Sequence, residues 1–171
     1  RLKNTAKEVY DRIMPNNHIG HNKFLVYVNG AGNPTAVLLG STNWTSTGLC
    51  AQTNNTLIID NPKFAERYLL YWKQLAADTK AAKGESKALQ GSTLRKWDAT
   101  AKRISLKGGG SVESCFSPNT AKARSSSKKN EERPVDMSAV IDRINHAQHS
   151  ILFLVFYPGK PSIANWTAAA L

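Results

Sequence analysis

The sequence contains few of the residues that join distant parts of a chain through covalent bonds or metal ions. It has only two cysteines, Cys50 and Cys115, and four histidines among 171 residues. Two cysteines are too few for a disulfide framework, and neither they nor the histidines and carboxylates show the spacing of a metal site. We therefore predict no metal and no cofactor, and a chain of this length is expected to rely on an apolar core.

Long apolar runs are also missing, and acidic residues are scarce. No run approaches the roughly 18 residues that a membrane-spanning helix needs. Lysine and arginine number 23 against 12 aspartates and glutamates, for a formal net charge of +11. Residues 61–133 carry 16 of the basic and 7 of the acidic side chains. This basic stretch favours a phosphate-bearing partner, either nucleic acid or anionic lipid, although a solvated surface would have the same composition.

Apolar periodicity predicts a well-ordered first part of the chain. The predicted elements are a helix over 2–13, strands over 23–28, 35–39 and 55–60, and a helix over 62–77. Asn29-Gly30 is a strong signal for a hairpin turn between the first two strands. Asn61 and Pro62 are the expected N-cap and first position of the second helix.

A change of composition separates this part from a second set of elements. Residues 79–110 are rich in lysine, alanine, glycine and serine, and they are predicted to be a basic linker region. The predicted elements that follow are a strand over 112–117, a helix over 135–147 and a strand over 151–157. The apolar runs at 24–28 and 151–157 need cover on both sides. We therefore predict an α/β fold with helices on the faces of its sheet and the strand after His21 at the centre.

Two short polar sequences stand at the two ends of the predicted hairpin. His21-Asn22-Lys23 begins the first strand, and Gly40-Ser41-Thr42-Asn43 ends the second. Side chains alternate between the faces of a strand, so His21 and Lys23 share one face. Ser41 and Asn43 share a face as well if the backbone stays extended there. The hairpin is then expected to bring an imidazole, an ammonium, a hydroxyl and a carboxamide to one place.

These groups suit the cleavage of a phosphodiester. The imidazole of His21 can attack phosphorus and form a covalent phospho-histidine, which divides one difficult step into two easier ones. Lys23, Ser41 and Asn43 can donate hydrogen bonds to the non-bridging oxygens as negative charge develops. Because no metal-ligand cluster is visible, electrophilic assistance is expected from the lysine and the amides.

The two motifs together resemble the His-x-Lys and Gly-Ser-x-Asn signature of the phospholipase D superfamily, over about residues 10–78. The resemblance implies a layered phospholipase-D-like α/β sheet with helices on its faces. It also implies a phosphodiesterase, a hydrolase that acts through a phospho-histidine intermediate, with phospholipid as the first expectation. The alternatives are a nuclease of the same superfamily and a catalytically weak module that binds anionic lipid or nucleic acid.

The resemblance also divides the chain into parts. Residues 1–78 are similar to a half that carries the motif, and 79–110 would link it to the next half. Residues 111–171 look like the opening strand, helix and strand of that second half. Since the chain has no second His-x-Lys, the second catalytic motif is expected beyond Leu171 or in the partner of a homodimer.

Two positions depart from the family pattern, and two others extend it. Val28 stands where an aspartate five residues after the lysine is usual. Asn54 stands where an acidic residue often orients the catalytic histidine, and an amide there can hold the ring but stabilises imidazolium less. Trp44 and Thr45 directly follow the motif and are further candidates for orienting or binding the substrate.

Overall fold

The computed structural model describes residues 6–15, 19–120, 135–155 and 163–170. In chain order its elements are β1 (Phe24–Val28), β2 (Pro34–Gly40), α1 (Ser46–Cys50), β3 (Thr56–Ile59), α2 (Pro62–Ala81), a short 3-10 helix (Ser86–Ala88), α3 (Ser92–Asp98), β4 (Lys102–Ser105), β5 (Ser111–Ser114), α4 (Val135–Asn145) and α5 (Ile163–Ala170). Helices and small antiparallel sheets are combined, which agrees with the predicted α/β class. Within these described ranges, no helix is long and apolar enough to cross a membrane.

The chain forms two compact units. The first unit comprises residues 1–94 and 103–112, and the second comprises residues 95–102 and 113–171.

The sheet of the first unit has three antiparallel strands in the order β1-β2-β3. β2 is the central strand: its Leu39 lies opposite Phe24 of β1 on one side and Leu57 of β3 on the other. The prediction that the strand after His21 is central is therefore wrong, because β1 is an edge of the described sheet. A tight turn before β2 forces β1 beside it, and the loop after β2 returns β3 along its other edge.

The turn between β1 and β2 forms as the Asn29-Gly30 pair predicted. The Asn29 side-chain oxygen accepts hydrogen bonds from the backbone N–H groups of Ala31 (3.1 Å) and Asn33 (2.9 Å). Gly32 supplies a left-handed backbone conformation, with φ of +83°, that other residues rarely adopt. The Asn29 side chain thus stabilises the turn through hydrogen bonds from residues two and four positions later.

Helix α2 covers one face of this sheet. The side-chain oxygen of Asn61 accepts a hydrogen bond from the Phe64 N–H at 3.0 Å, which confirms the predicted N-cap. The helix continues to Ala81, past its predicted end. Phe64 packs with Val37 and Ile104 in the hydrophobic core. Burial of each such side chain contributes about 1.5–3 kcal/mol, so this contact holds β2 on the helix.

The opposite face of the sheet is open in the described structure. Leu25, Tyr27 and Ile58 lie on this face and are each about half exposed. The apolar run at 24–28 therefore alternates between a covered and an open face and is not buried on both. One of the two predicted helix layers, α2, is present among the described residues.

The segment before β1 is not helical, so the helix predicted over 2–13 is wrong from residue 6 onward, and its earlier residues lie outside the described chain. The segment instead contacts α2. Tyr10 meets the Trp72 ring edge-on with 5.8 Å between ring centroids, and Arg12 forms an ion pair with Asp78 at 2.7 Å. A short helix is marginal by itself, so these contacts decide the local conformation.

Residues 79–94 of the predicted linker belong to the first unit and pack within it. The Asp78 carboxylate accepts hydrogen bonds from the backbone N–H groups of Gln90 (2.8 Å) and Gly91 (2.7 Å). The neighbouring Leu89 is buried. Three glycines with positive φ connect β4 to β5, which pair as a two-stranded sheet. A few apolar side chains within a polar sequence are enough to pack this segment onto the protein. Its composition alone could not indicate that packing.

The second unit contains a helix that the sequence predicted. α4 matches the helix expected over 135–147 except in its last residues, and it buries Ile141 and Ile144 on one side. Trp97 stacks on Phe116 with ring centroids 5.5 Å apart. These contacts give the second unit apolar packing of its own.

The buried strand predicted over 151–157 is wrong for residues 151–155. These residues form no strand with any other described segment, and the side chains of Leu152 and Leu154 are 93% and 87% exposed. Residues 156 and 157 lie outside the described residues. A strand needs a neighbour for its backbone hydrogen bonds, so an apolar run alone does not make one.

Candidate active site

The two sequence motifs lie at neighbouring ends of β1 and β2. β1 begins at Phe24, directly after Lys23, and β2 ends at Gly40, directly before Ser41. Phe24 pairs with Leu39 across the two strands. The antiparallel register therefore places the His-x-Lys segment beside the Gly-Ser-x-Asn segment.

The Lys23 side chain is turned back onto its own motif. Its ammonium donates a hydrogen bond to the backbone carbonyl of His21 at 2.8 Å. Partial burial lowers the pKa of Lys23 below its ordinary value, because desolvation disfavours the charged form. An ammonium has three N–H donors, so Lys23 can keep this contact and still donate to a phosphate oxygen.

The His21 side chain is exposed, and no hydrogen bond among the described residues orients its imidazole. Asn54, predicted to orient a catalytic histidine, makes other contacts. Its side-chain oxygen accepts from the Ser41 hydroxyl at 3.2 Å, and its amide donates to the Gly48 carbonyl at 2.8 Å. Asn54 therefore orients Ser41 and the loop after β2 in this structure, and no hydrogen bond of the described residues joins it to His21.

The Ser41 hydroxyl is held on both sides. It donates to Asn54 and accepts from the backbone N–H of Asn55 at 3.0 Å. Gly40 permits this close approach, because a Cβ at that position would overlap the Asn55 carbonyl oxygen. The chain bends at Ser41, so the extended backbone assumed for Ser41 and Asn43 is absent. Strand alternation consequently does not decide where these two side chains lie.

The residues after the motif form the short helix α1. Thr45 is its N-cap, and its hydroxyl accepts a hydrogen bond from the Gly48 N–H at 3.0 Å. Gly48 is packed against Asn43, since a Cβ on Gly48 would overlap the Asn43 carbonyl oxygen. Trp44 is half exposed. Thr45 thus has a structural role here, whereas the exposed ring of Trp44 can contact a substrate.

We expect Gly48→Ala to disturb the motif loop. The added methyl group must displace the Asn43 carbonyl or break the Thr45 cap, and forcing such an overlap costs about 1–3 kcal/mol. Urea unfolding measures the loss, and the amide NMR shifts of Asn43 report the displacement. Gly30→Ala is the matched control, because a Cβ at Gly30 meets nothing within 4 Å. Equal stability of the two variants would contradict the proposed packing.

The structure brings the two strand ends together but does not link the two pairs of side chains directly. In the described part of the chain, no hydrogen bond joins His21 or Lys23 to Ser41 or Asn43. The same residues contain no group of three or more His, Cys, Asp or Glu side chains that could hold a metal ion. The polar donors at the motif are accordingly an ammonium, hydroxyls and amides.

Two residues that shape the motif loop, Gly48 and Asn55, were not predicted from the sequence. A glycine within a polar loop can mark a close approach of two backbones, so Gly48 carried a usable signal. Asn55 carried none, because its contact with Ser41 joins positions 14 residues apart. Such a contact becomes visible only when β3 is placed beside β2.

Comparisons with protein-family models, with curated proteins and with solved structures find no match for this chain. The functional interpretation therefore depends on the two motifs and on the geometry of the strand ends that carry them.

Proposed function

We propose that this chain carries half of the active site of a metal-independent phosphodiesterase similar to the phospholipase D superfamily. Its substrate is a phosphodiester, with phospholipid as the preferred class and nucleic acid as the alternative. The observation that supports the proposal is the placement of His-x-Lys and Gly-Ser-x-Asn at adjacent ends of one antiparallel hairpin.

The nucleophile is assigned to His21. A ring nitrogen attacks phosphorus, the bond to the leaving oxygen breaks, and a phospho-histidine forms. Ser41 is unsuited to this role, because its hydroxyl donates to Asn54 and accepts from the Asn55 N–H. Water then attacks the phospho-histidine, which releases the phosphate product and restores the imidazole.

Lys23 supplies positive charge during both steps. Its ammonium donates to the His21 carbonyl and therefore lies within the motif. A cation held in place before the reaction stabilises charge that develops in the transition state without further reorganisation. Lys23 can therefore stabilise the negative charge that develops on the non-bridging oxygens.

The departing oxygen needs a proton from a second group. The proposal assigns this acid to a second motif, either beyond Leu171 or in a second copy of the chain. The same proposal includes the layered phospholipase-D-like fold. α2 supplies one helix layer, and the open face with Leu25, Tyr27 and Ile58 requires the other.

A catalytically weak binding module is the second candidate, and the basic surface favours it. Lys63, Lys73 and Lys80 are exposed on α2 within the basic stretch 61–133. Exposed lysines attract anionic lipid headgroups or nucleic acid through charge alone. Binding without turnover would support this module, whereas turnover supports the enzyme.

The proposal predicts chelator-resistant hydrolysis of a phosphodiester. Purified protein should release nitrophenol from bis(4-nitrophenyl) phosphate at the same rate with and without excess EDTA, because no metal takes part. The rate per mole of protein should be very low for a monomer. If a second copy provides the acid, this rate should rise with protein concentration as dimers form, and sedimentation can establish the oligomeric state.

Two results would overturn the proposal. One is loss of turnover in EDTA with recovery on adding a single divalent ion. The other is a covalent phosphoryl group, trapped by rapid quenching, on a peptide that lacks His21. A phosphomonoester substrate serves as the control for contaminating phosphatase.

A further inference from the structure

We infer that Asn22 and Tyr71 form a positioning pair that sets the direction of the His-x-Lys segment. Asn22 is the residue between His21 and Lys23. Its amide donates a hydrogen bond to the Tyr71 hydroxyl at 2.9 Å, between positions 49 residues apart. The effect on catalysis rests on the proposed function, whereas the effect on the segment itself does not.

Tyr71 is a rigid anchor. It lies within α2 and its side chain is 0% exposed. Its ring also lies 5.8 Å from the ring of Phe24, which meets Tyr68 edge-on at 5.2 Å. Phe24 and Asn22 flank Lys23, so both neighbours of the lysine are attached to the same helix.

Attachment of these two neighbours decides where the motif backbone lies. Asn22 and Phe24 both contact α2, so the backbone on either side of Lys23 is attached to this helix. His21 is exposed, whereas Phe24 packs on the core and Asn22 is attached to α2 through its side-chain amide. The position of the His21–Lys23 backbone is thereby tied to α2.

Strand pairing cannot do this alone. β1 begins at Phe24, so Asn22 lies beyond the last regular pairing with β2. The hydrogen bond to Tyr71 extends the fixed part of the backbone by two residues and reaches the middle of the motif. A buried tyrosine hydroxyl is normally hydrogen-bonded, so the contact also meets a requirement of the core.

A double-mutant cycle tests the pair. Tyr71→Phe keeps the ring and removes the hydroxyl, and Asn22→Ala removes the donor. Each should lower kcat by about fivefold, the factor that corresponds to one net hydrogen bond, with little change in KM. The double variant should lose about the same fivefold and not about 25-fold, because the two changes remove one interaction. Tyr27→Phe, an exposed tyrosine on β1, is the control and should leave kcat unchanged.

A measurement independent of turnover separates this inference from the proposed function. The ¹⁵N order parameter of the Lys23 amide should fall from about 0.85, the value of a rigid backbone, toward about 0.6 in Tyr71→Phe and in Asn22→Ala. If the parent protein has no activity but the order parameters fall, the positioning pair stands and the proposed function fails. Unchanged order parameters, or effects on kcat that multiply in the double variant, would overturn the positioning pair.

Discussion

Replacing His21 with alanine should reduce phosphodiester turnover to the background rate. Removal of a covalent nucleophile typically costs on the order of 10⁶-fold in kcat, and no other group at the motif can form the intermediate. Ser41 cannot take over without giving up its hydrogen bonds to Asn54 and Asn55. The measurement is steady-state release of nitrophenol, with quenched samples analysed for a phosphorylated peptide.

Two variants make this result specific. His146→Ala should have no effect, because His146 is an exposed residue of the second unit whose ring contacts the Asp142 carbonyl at 2.7 Å. Lys23→Ala should lower kcat by about 10²–10³-fold, the range seen when one group that stabilises the transition state is removed. Activity that survives His21→Ala would exclude the phospho-histidine mechanism.

Asp78→Ala should lower the free energy of unfolding more than Gly48→Ala or Arg12→Ala. The Asp78 carboxylate is 8% exposed, pairs with Arg12 at 2.7 Å and accepts backbone hydrogen bonds from Gln90 and Gly91. It therefore joins three segments: the chain before β1, α2 and the loop before α3. Because the pair is only partly buried, the loss should be about 3 kcal/mol, the lower end of the range for removing one member of a buried ion pair.

Urea unfolding tests this expectation, with Asp60→Ala as the control. Asp60 is an exposed carboxylate at the end of β3, so its removal should change the free energy of unfolding by less than about 0.5 kcal/mol. Arg12→Ala should cost less than Asp78→Ala, because Asp78 would keep both backbone hydrogen bonds. Equal stability of the Asp78 and Asp60 variants would show that the network does not hold these segments together.

The pH dependence of stability should change in the same variant. Burial by itself would raise the pKa of Asp78, but the Gln90 and Gly91 N–H groups and the Arg12 guanidinium together lower it below its ordinary value. A depressed carboxyl pKa stabilises the folded state above the unfolded pKa of about 3.9, and this contribution is lost as the pH falls through the folded pKa. The parent protein should therefore lose more stability below about pH 4 than Asp78→Ala does.

Local features of this protein could be predicted because their partners are close in the chain. Asn29 accepts from N–H groups within four residues of itself, and Asn61 caps a helix through Phe64, three residues on. The two motifs were likewise recognised by residue type and spacing, and their role as a site stays a prediction. The hairpin between them is local, so its presence could be predicted from the turn residues.

Features that depend on distant partners could not be predicted in this way. The segment with Tyr10 and Arg12 has helical periodicity, yet its contacts with Trp72 and Asp78 keep it out of a helix. The apolar run at 151–155 has the composition of a buried strand, but no described strand lies beside it. Composition indicates whether a segment tends to form a helix or a strand. Whether it does so depends on packing partners that lie elsewhere in the chain.

The sequence by itself determined which chemical groups stand at the two ends of one hairpin: an imidazole, an ammonium, a hydroxyl and an amide. The tertiary structure alone decided how they are held. It assigned Asn54 to Ser41, made β2 the central strand, and joined Asn22 to Tyr71. The reason is physical: turns and caps are formed by neighbours in the chain, whereas orientation within a site depends on hydrogen bonds and packing between residues that only the fold brings together.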